Sequence, residues 1–221
     1  MEGKTALVFG ATGLVGNLLL EELAKATTYS TVKMFVRQKT GISLPGVEEI
    51  VTDVTTPEII SERIQGDDLF ICLGTTIKKA GSVANMEKID RDLPVTIARL
   101  AKNNGVKGIA VVSSIGAAEG SKNYYLRIKG EMENEIKNLG FEKCFIVRPS
   151  MLLGDRKERR TGEIIGKVFM KTVQPVLAGK LKKFRAIHGR DVARAMISLL
   201  QGEAGNRIVE SDELQQIARG I

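Results

Sequence analysis

Three glycines within seven residues, Gly10-Ala11-Thr12-Gly13-Leu14-Val15-Gly16, constrain this chain more than any other feature of it. They follow the apolar run Thr5-Ala6-Leu7-Val8-Phe9 and open a helical pattern. Between a strand and a helix, the first glycine permits a tight turn. The second lets a diphosphate approach the backbone, and the third lets the helix pack closely on the sheet. An arriving phosphate then meets unpaired N–H groups and the positive end of the helix dipole. A glycine triplet alone says little, but one set between a strand and a helix near the start of a chain points to a dinucleotide.

Strand and helix patterns continue to alternate down the chain. Strands are expected at Thr5–Gly10, Thr31–Val36, Glu49–Thr52, Leu69–Leu73, Gly108–Ser113, Cys144–Val147 and Arg207–Val209. Helices are expected near Val15–Lys25, Pro57–Ile64, Met86–Asn103, Tyr124–Asn138, Glu163–Lys171 and Asp191–Leu200, with Gly105 and Gly140 at helix C-caps. This order predicts an α/β fold, a doubly wound parallel sheet of Rossmann-like type running from Thr5 to Val147. Residues 150–221 would form a small C-terminal cap over the sheet edge. The chain has 221 residues, 43% of them hydrophobic, with no repeat and no linker, which suits one domain spanning 1–221.

Composition narrows the function classes. Aromatic residues make up 5% of the chain and there is no Trp, so a stacking platform for single-stranded nucleic acid is not expected. Cys72 and Cys144 lie in apolar runs, without a second Cys or a His at metal-ligand spacing. They read as buried core thiols, and no metal site is expected. No apolar run reaches the roughly 18 residues of a membrane span. Lys4 is the only basic residue ahead of the first apolar run, so that run does not read as a signal peptide. A cytoplasmic protein with no membrane partner is the expectation. The net charge of +7 is concentrated between Asp155 and Arg194, where twelve basic residues face four acidic ones. That cluster reads as a solvated face turned partly toward a phosphate-bearing cofactor, with nucleic acid the less favoured partner.

The second strand end specifies the dinucleotide. An acid there accepts from the ribose 2′-hydroxyl of NAD, whereas an arginine pairs with the 2′-phosphate of NADP. This chain reads Val36-Arg37-Gln38-Lys39, and no acid follows until Glu48. Arg37 is therefore expected to clamp the phosphate, with Lys39 assisting, and NADP(H) is the expected cofactor. Asp53 at the third strand end is placed to meet the adenine amino group. Gly74 and Thr75 at the fourth strand end would flank the cofactor.

The chemistry is expected from Tyr125 and Lys129. At helical spacing i and i+4 they share a face about 6 Å apart. An ammonium near the phenol favours the phenolate, so Tyr125 could give a proton to a developing alkoxide or take one back. Lys129 would also bind the nicotinamide ribose. The fifth strand ends Val112-Ser113-Ser114, and a hydroxyl there could hold the substrate oxygen. Adjacent strand residues point to opposite faces, so one serine is expected to serve. Ser114 is the choice, with Ser113 second.

The segments GATGLVG, ICLGTT, IDRDL, VVSSIGA, YLRIKGEMENEI and VRPSMLLGDRKERRTGE occur in this order over nearly the whole chain. In them the chain resembles the atypical short-chain dehydrogenases of the Tat-interacting-protein oxidoreductase kind, near the sugar-epimerase and NmrA-like branches. The resemblance implies a cofactor site at Thr12, Gly13, Leu14, Val15, Arg37, Gln38, Gly74, Thr75, Tyr125, Lys129, Leu152 and Arg160. The glycine spacing, GxxGxxG, is that of the extended and atypical members. Asp90 departs from the pattern, standing where many extended relatives carry an Asn in a proton relay. The turn Arg148-Pro149 reads as scaffold, and His188 as structural or at the rim of the site.

Three functions fit these residues. One is an NADP(H)-dependent oxidoreductase acting on a small-molecule carbonyl or alcohol. Another is an NADPH-binding regulator that senses redox state and acts on a protein partner. A third, a nucleotide-sugar epimerase, is weakened by the short C-terminal region. The helices near Met86 and Tyr124 would permit a homodimer.

Overall fold

The computed structural model describes residues 3–154 and 179–220. In chain order the elements are β1 (Lys4–Phe9), α1 (Leu14–Leu23), β2 (Tyr29–Val36), β3 (Val47–Val51) and β4 (Asp68–Ile71). They continue with α2 (Ile77–Ala80), α3 (Val83–Glu87), α4 (Leu93–Asn103), β5 (Gly108–Val112), α5 (Tyr124–Asn138) and β6 (Lys143–Arg148). Last come β7 (Leu152–Leu153), β8 (Ile187–His188), α6 (Gly189–Gln201), β9 (Gly205–Glu210) and α7 (Ser211–Arg219). The expected helix at Glu163–Lys171 falls outside the described residues.

Seven strands form one sheet in the order β3-β2-β1-β4-β5-β6-β9. Every adjacent pair is parallel. The order reverses between β1 and β4, and in such sheets ligands bind in the crevice beyond the carboxyl ends of the strands at that point. Strand alternation sends Ala6 and Val8 to one face and Leu7 and Phe9 to the other, and both faces are covered. On the first face α1 packs with α6 through Leu19, Leu20, Val192 and Met196. On the second, α4 and α5 bring Ile97, Ala98, Met132 and Ile136. Covering both faces explains why β4 is buried at all four positions. Each fully buried leucine or isoleucine of this core contributes about 1.5–3 kcal/mol.

Two expected elements differ in kind. Pro57–Arg63 is 3-10 helix, kinked at Ile60, rather than an α-helix. The expected helix Met86–Asn103 divides into α3, a π-helical turn at Lys88–Asp92, and α4. Pro94 explains the division. It has no N–H for the carbonyl of Asp90, and its ring crowds that carbonyl. The backbone instead closes one residue wider, with Leu93 N–H on the oxygen of Lys88. Asp90 lies inside this turn and is fully buried.

Within 150–221, β9 pairs with β6 from Gly205 to Glu210 and becomes the seventh strand. The residues that directly follow β7 and β8 pack on the start of α1: a Cβ on Gly154 would stand 2.8 Å from Leu14 Cδ1, and one on Gly189 3.2 Å from Leu14 Cγ. On the far side of α1, Arg190 bonds Glu21 and Glu22, and Arg194 bonds Glu22 at 2.9 Å.

Candidate active site

The glycine turn has its form for steric reasons. Gly10 takes φ +83°, and a Cβ there would stand 2.5 Å from the carbonyl carbon of Cys72. A Cβ on Gly16 would run into the carbonyl of Gly10. Both positions therefore need glycine for packing, and they press the turn against the end of β4. Gly13 differs: it is exposed, and it caps α1 with no capping side chain and no acidic residue in the first turn. Thr12 beside it is exposed, whereas Leu14 is half-buried. Val15 and Gly16 are buried, so they can offer a ligand only backbone.

At the neighbouring strand ends, Arg37, Gln38 and Lys39 follow β2 and are exposed. Asp53 is also exposed, but its Oδ1 already accepts from the backbone N–H of Thr55 at 2.9 Å and from its hydroxyl at 2.6 Å. These bonds, with a smaller contribution from the charge of Arg37, hold the carboxyl below its usual range. One oxygen of Asp53 is thus committed to its own turn.

The residues that follow β4 meet α5 through Asp90. Its Oδ2 accepts from the backbone N–H of Thr75 at 3.0 Å, and its Oδ1 lies 2.9 Å from Nζ of Lys129. Asp90 is 0% and Lys129 2% exposed, so this ion pair sits in the interior. The expectation placed the ammonium beside Tyr125. Lys129 is instead ion-paired with Asp90, and the hydroxyl of Tyr125, half-buried one turn earlier, has no hydrogen-bond partner among the described residues.

The two serines take different roles. Ser113 is buried and donates to Oε1 of Glu133 at 2.5 Å, while Arg148 holds the same carboxylate. Ser114 is half-buried, and its hydroxyl makes only a 3.5 Å contact with the carbonyl of Ile115. The loop between it and α5 is fastened down: Ile115 N–H bonds Pro149, and Ala118 N–H bonds Leu126. Asn123 caps α5 by accepting from Leu126 N–H at 3.2 Å. Tyr124 adds a bond to Glu87 on α3 at 2.8 Å, fixing the turn that carries Tyr125. Arg148 joins this framework, as its reading as scaffold anticipates.

The NAD(P)H-binding family matches residues 10–203, from the first glycine of the turn through α6 and just beyond. This chain belongs to that NAD(P)H-binding family. Protein FMP52, mitochondrial, of Eremothecium gossypii is 34% identical over 226 residues, covering 97% of each chain. Protein HTATIP2 of Rattus norvegicus is 35% identical over 173 residues, covering 76% of this chain and 71% of its own. Among solved structures, the Bordetella bronchiseptica enzyme WbmH in complex with NAD+ aligns with a TM-score of 0.71 at 15% identity. That alignment covers 95% of this chain and 76% of WbmH, and it shows a shared fold. The atypical short-chain dehydrogenase resemblance and the doubly wound sheet are both borne out.

The cytoplasmic expectation is corrected. A relative that matches nearly end to end is named as a mitochondrial protein. No described helix is long and apolar enough to cross a membrane. A missing membrane span, on which the expectation leaned, does not distinguish one aqueous compartment from another.

The residues of this NAD(P)H-binding chain suit a dinucleotide. Gly13 leaves the α1 N-terminus open, where a Cβ would stand 3.3 Å from the carbonyl oxygen of Gly10. Gly74 is exposed directly over the Asp90–Lys129 pair. Leu152 is half-buried in β7, and Arg160 lies outside the described residues. Burial pushes the Cys72 thiol up to about 12 and that of Cys144 up to about 11, so neither supplies a thiolate near neutral pH. His188 is structural: its Nδ1 caps α6 by accepting from Arg190 N–H at 3.2 Å. Sequence reasoning named Asp90 only as a departure from a pattern. The signal for its role was Pro94 four residues on, which opens the helix and turns that carboxylate inward.

Proposed function

We propose that this protein is an NADP(H)-dependent oxidoreductase acting on the carbonyl or alcohol of a small molecule. The observation that carries this reading is one run of contacts. The glycine turn presses on Cys72 and Leu73, the next residues are Gly74 and Thr75, and these lie on the buried Asp90–Lys129 pair. An open helix N-terminus and an α5 bearing Tyr125 thus meet at the carboxyl ends of β1 and β4. Arg37 supports NADP over NAD, because its exposed guanidinium can take a 2′-phosphate with paired hydrogen bonds.

A bound nicotinamide would supply or accept the hydride. The chain's own residues do the rest. Gly13, whose own N–H closes the turn on Gly10, leaves room for a diphosphate, and the first amides of α1 bind it. Lys129 keeps an ammonium in place for the ribose hydroxyls. Ser114 donates its hydroxyl to the substrate oxygen and favours the charge that develops there. Tyr125 transfers its phenolic proton to that oxygen as the alcohol forms, and takes it back in the reverse direction.

The test is NADPH oxidation with a panel of aldehydes, ketones and quinones, wild type against Tyr125→Phe. A loss of 100-fold or more is expected, the order of a missing general acid. Turnover that survives the substitution undiminished would discard the mechanism. A second reading, an NADPH-binding regulator, is favoured by one observation: the Lys129 ammonium is balanced by Asp90 instead of bonded to the phenol. Tight NADPH binding with no turnover on any substrate would select it.

A further inference from the structure

We propose that Asn104 is a self-modification site: attack by the Gly105 nitrogen deamidates it, the fold holds that reaction back, and its completion unfastens the 3-10 turn Pro57–Arg63 from α4. The site is independent of the cofactor reading, because no ligand takes part.

Asn104 is the one asparagine of the chain followed by glycine. A residue without Cβ leaves its own backbone nitrogen open to the side chain before it, whereas a larger residue crowds that approach. Asn104 and Gly105 are both exposed, so water reaches them. The Gly105 nitrogen bonds to Cγ of Asn104, and the side-chain nitrogen leaves as ammonia with the proton that the backbone nitrogen gives up. Water then opens the resulting ring imide. Cleavage at Cγ yields aspartate. Cleavage at the backbone carbonyl carbon yields isoaspartate, with the main chain rerouted through the side chain. Either product carries a new negative charge.

In the fold both reacting groups are occupied. Nδ2 of Asn104 donates to the carbonyls of Ser61 at 2.6 Å and Ile64 at 2.9 Å, which commits both of its hydrogens. Gly105 N–H donates to the carbonyl of Lys102 at 3.0 Å, and Val106 N–H to that of Ala101 at 3.0 Å. With Gly105 at φ +84°, these two bonds close the end of α4 as a Schellman wrap. Ring closure requires the amide to leave both carbonyls and the Gly105 nitrogen to leave Lys102. That means parting the turn from α4, where Ile60 and Ile64 are buried in one cluster with Ala98 and Ala101. Such an opening exposes apolar surface and is rare.

The product cannot restore the contact. A carboxylate has no hydrogen to donate, so its oxygens face the carbonyl oxygens of Ser61 and Ile64. It also brings negative charge to the C-terminal end of a helix, where the dipole disfavours it. The link from the Asp53 loop to β4 thereby loses its tie to α4, and no step of the chain's own chemistry reverses the change.

The test compares wild type, Ile60→Ala, Asn104→Asp and Asn103→Asp. Protein is aged at mildly alkaline pH, folded or in urea, and mapped by mass spectrometry with isoaspartyl peptides separated. In urea, Asn104 is expected to react faster than every other asparagine; in the folded chain its rate should be about 10-fold or more lower. Ile60→Ala should raise the folded-state rate at Asn104, with the other asparagines of the same digest as controls. Asn104→Asp should lower melting by about 2–8 °C and raise hydrogen exchange across 57–64. Asn103→Asp puts the same charge at the same helix end and should leave that exchange unchanged. Equal rates at Asn104 in folded and unfolded protein would overturn the proposal, as would wild-type exchange across 57–64 in Asn104→Asp. Should Asn104→Asp fail to fold, exchange is read on the deamidated fraction of aged wild type, and protection equal to that of the intact fraction overturns it.

Discussion

Arg148 holds Glu133 through two parallel hydrogen bonds, Nε to Oε1 at 2.8 Å and Nη2 to Oε2 at 2.5 Å. The pair joins the end of β6 to the middle of α5, and Glu133 is 2% exposed. Glu133→Gln leaves the guanidinium, itself only half-buried, with one neutral acceptor in place of a forked carboxylate. Removing one partner of a buried pair costs more than the pair's net worth, because the other charge is left behind. A loss of about 2–3 kcal/mol is expected. Melting should fall by roughly 4–12 °C. A variant that melts like wild type would show that the network contributes nothing to stability.

Ser113 and Ser114 should separate cleanly. Ser113→Ala removes a donor from the buried Glu133 network and should cost about 1 kcal/mol of stability while leaving turnover largely intact. Ser114→Ala removes a hydroxyl with no strong protein partner, so stability should hold. Turnover should fall about 100-fold, as for the loss of one donor to a developing oxyanion. Steady-state rates and melting curves on the same two proteins decide it. Reversed effects would move the catalytic assignment to Ser113.

Arg37 bears on cofactor choice. It is exposed beyond β2, and its charge acts on Asp53 only weakly. Arg37→Ala should weaken NADPH about 10- to 100-fold, the scale of a hydrogen-bonded charge pair. NADH affinity should change little. Fluorescence titration of both cofactors measures the ratio, and equal losses for the two would remove Arg37 as the discriminating group.

The sheet was legible in the chain because its inner strands are short apolar runs buried on both faces, and all seven strands overlap their expected positions. The helix Tyr124–Asn138 matches its expected bounds because Asn123 caps it, and the chain turns again just after, at Gly140. What escaped was local in cause. The helix α7 went unread because its apolar face is sparse, and Leu214 is its one fully buried large side chain. The break at Lys88–Asp92 follows from a single missing N–H at Pro94, which helical periodicity does not register. The pairing of Lys129 with Asp90 then follows from that break. A spacing rule along one helix gave Lys129 a neighbour on its own helix, whereas the partner came from another.

Tyr29 should govern part of the alkaline stability. Its hydroxyl donates to Asp68 at 2.8 Å, and Lys4 approaches the same carboxylate oxygen at 3.0 Å. Burial first, and then the charge of Asp68, hold the phenolic proton well above its usual range. The native pKa is raised, so the stabilisation is complete below the unfolded value of about 10. Above that pH the unfolded chain releases this proton and the folded chain does not, so stability declines by up to about 1.4 kcal/mol per pH unit from this group. Tyr29→Phe should lower stability near neutrality by about 1–2 kcal/mol and reduce the alkaline slope. All three residues begin their strands, at the opposite end of the sheet from the glycine turn, so NADPH affinity should not change. Urea unfolding at pH 7, 9, 10.5 and 11.5 tests the slope, and an unaltered alkaline limb in Tyr29→Phe would refute the assignment.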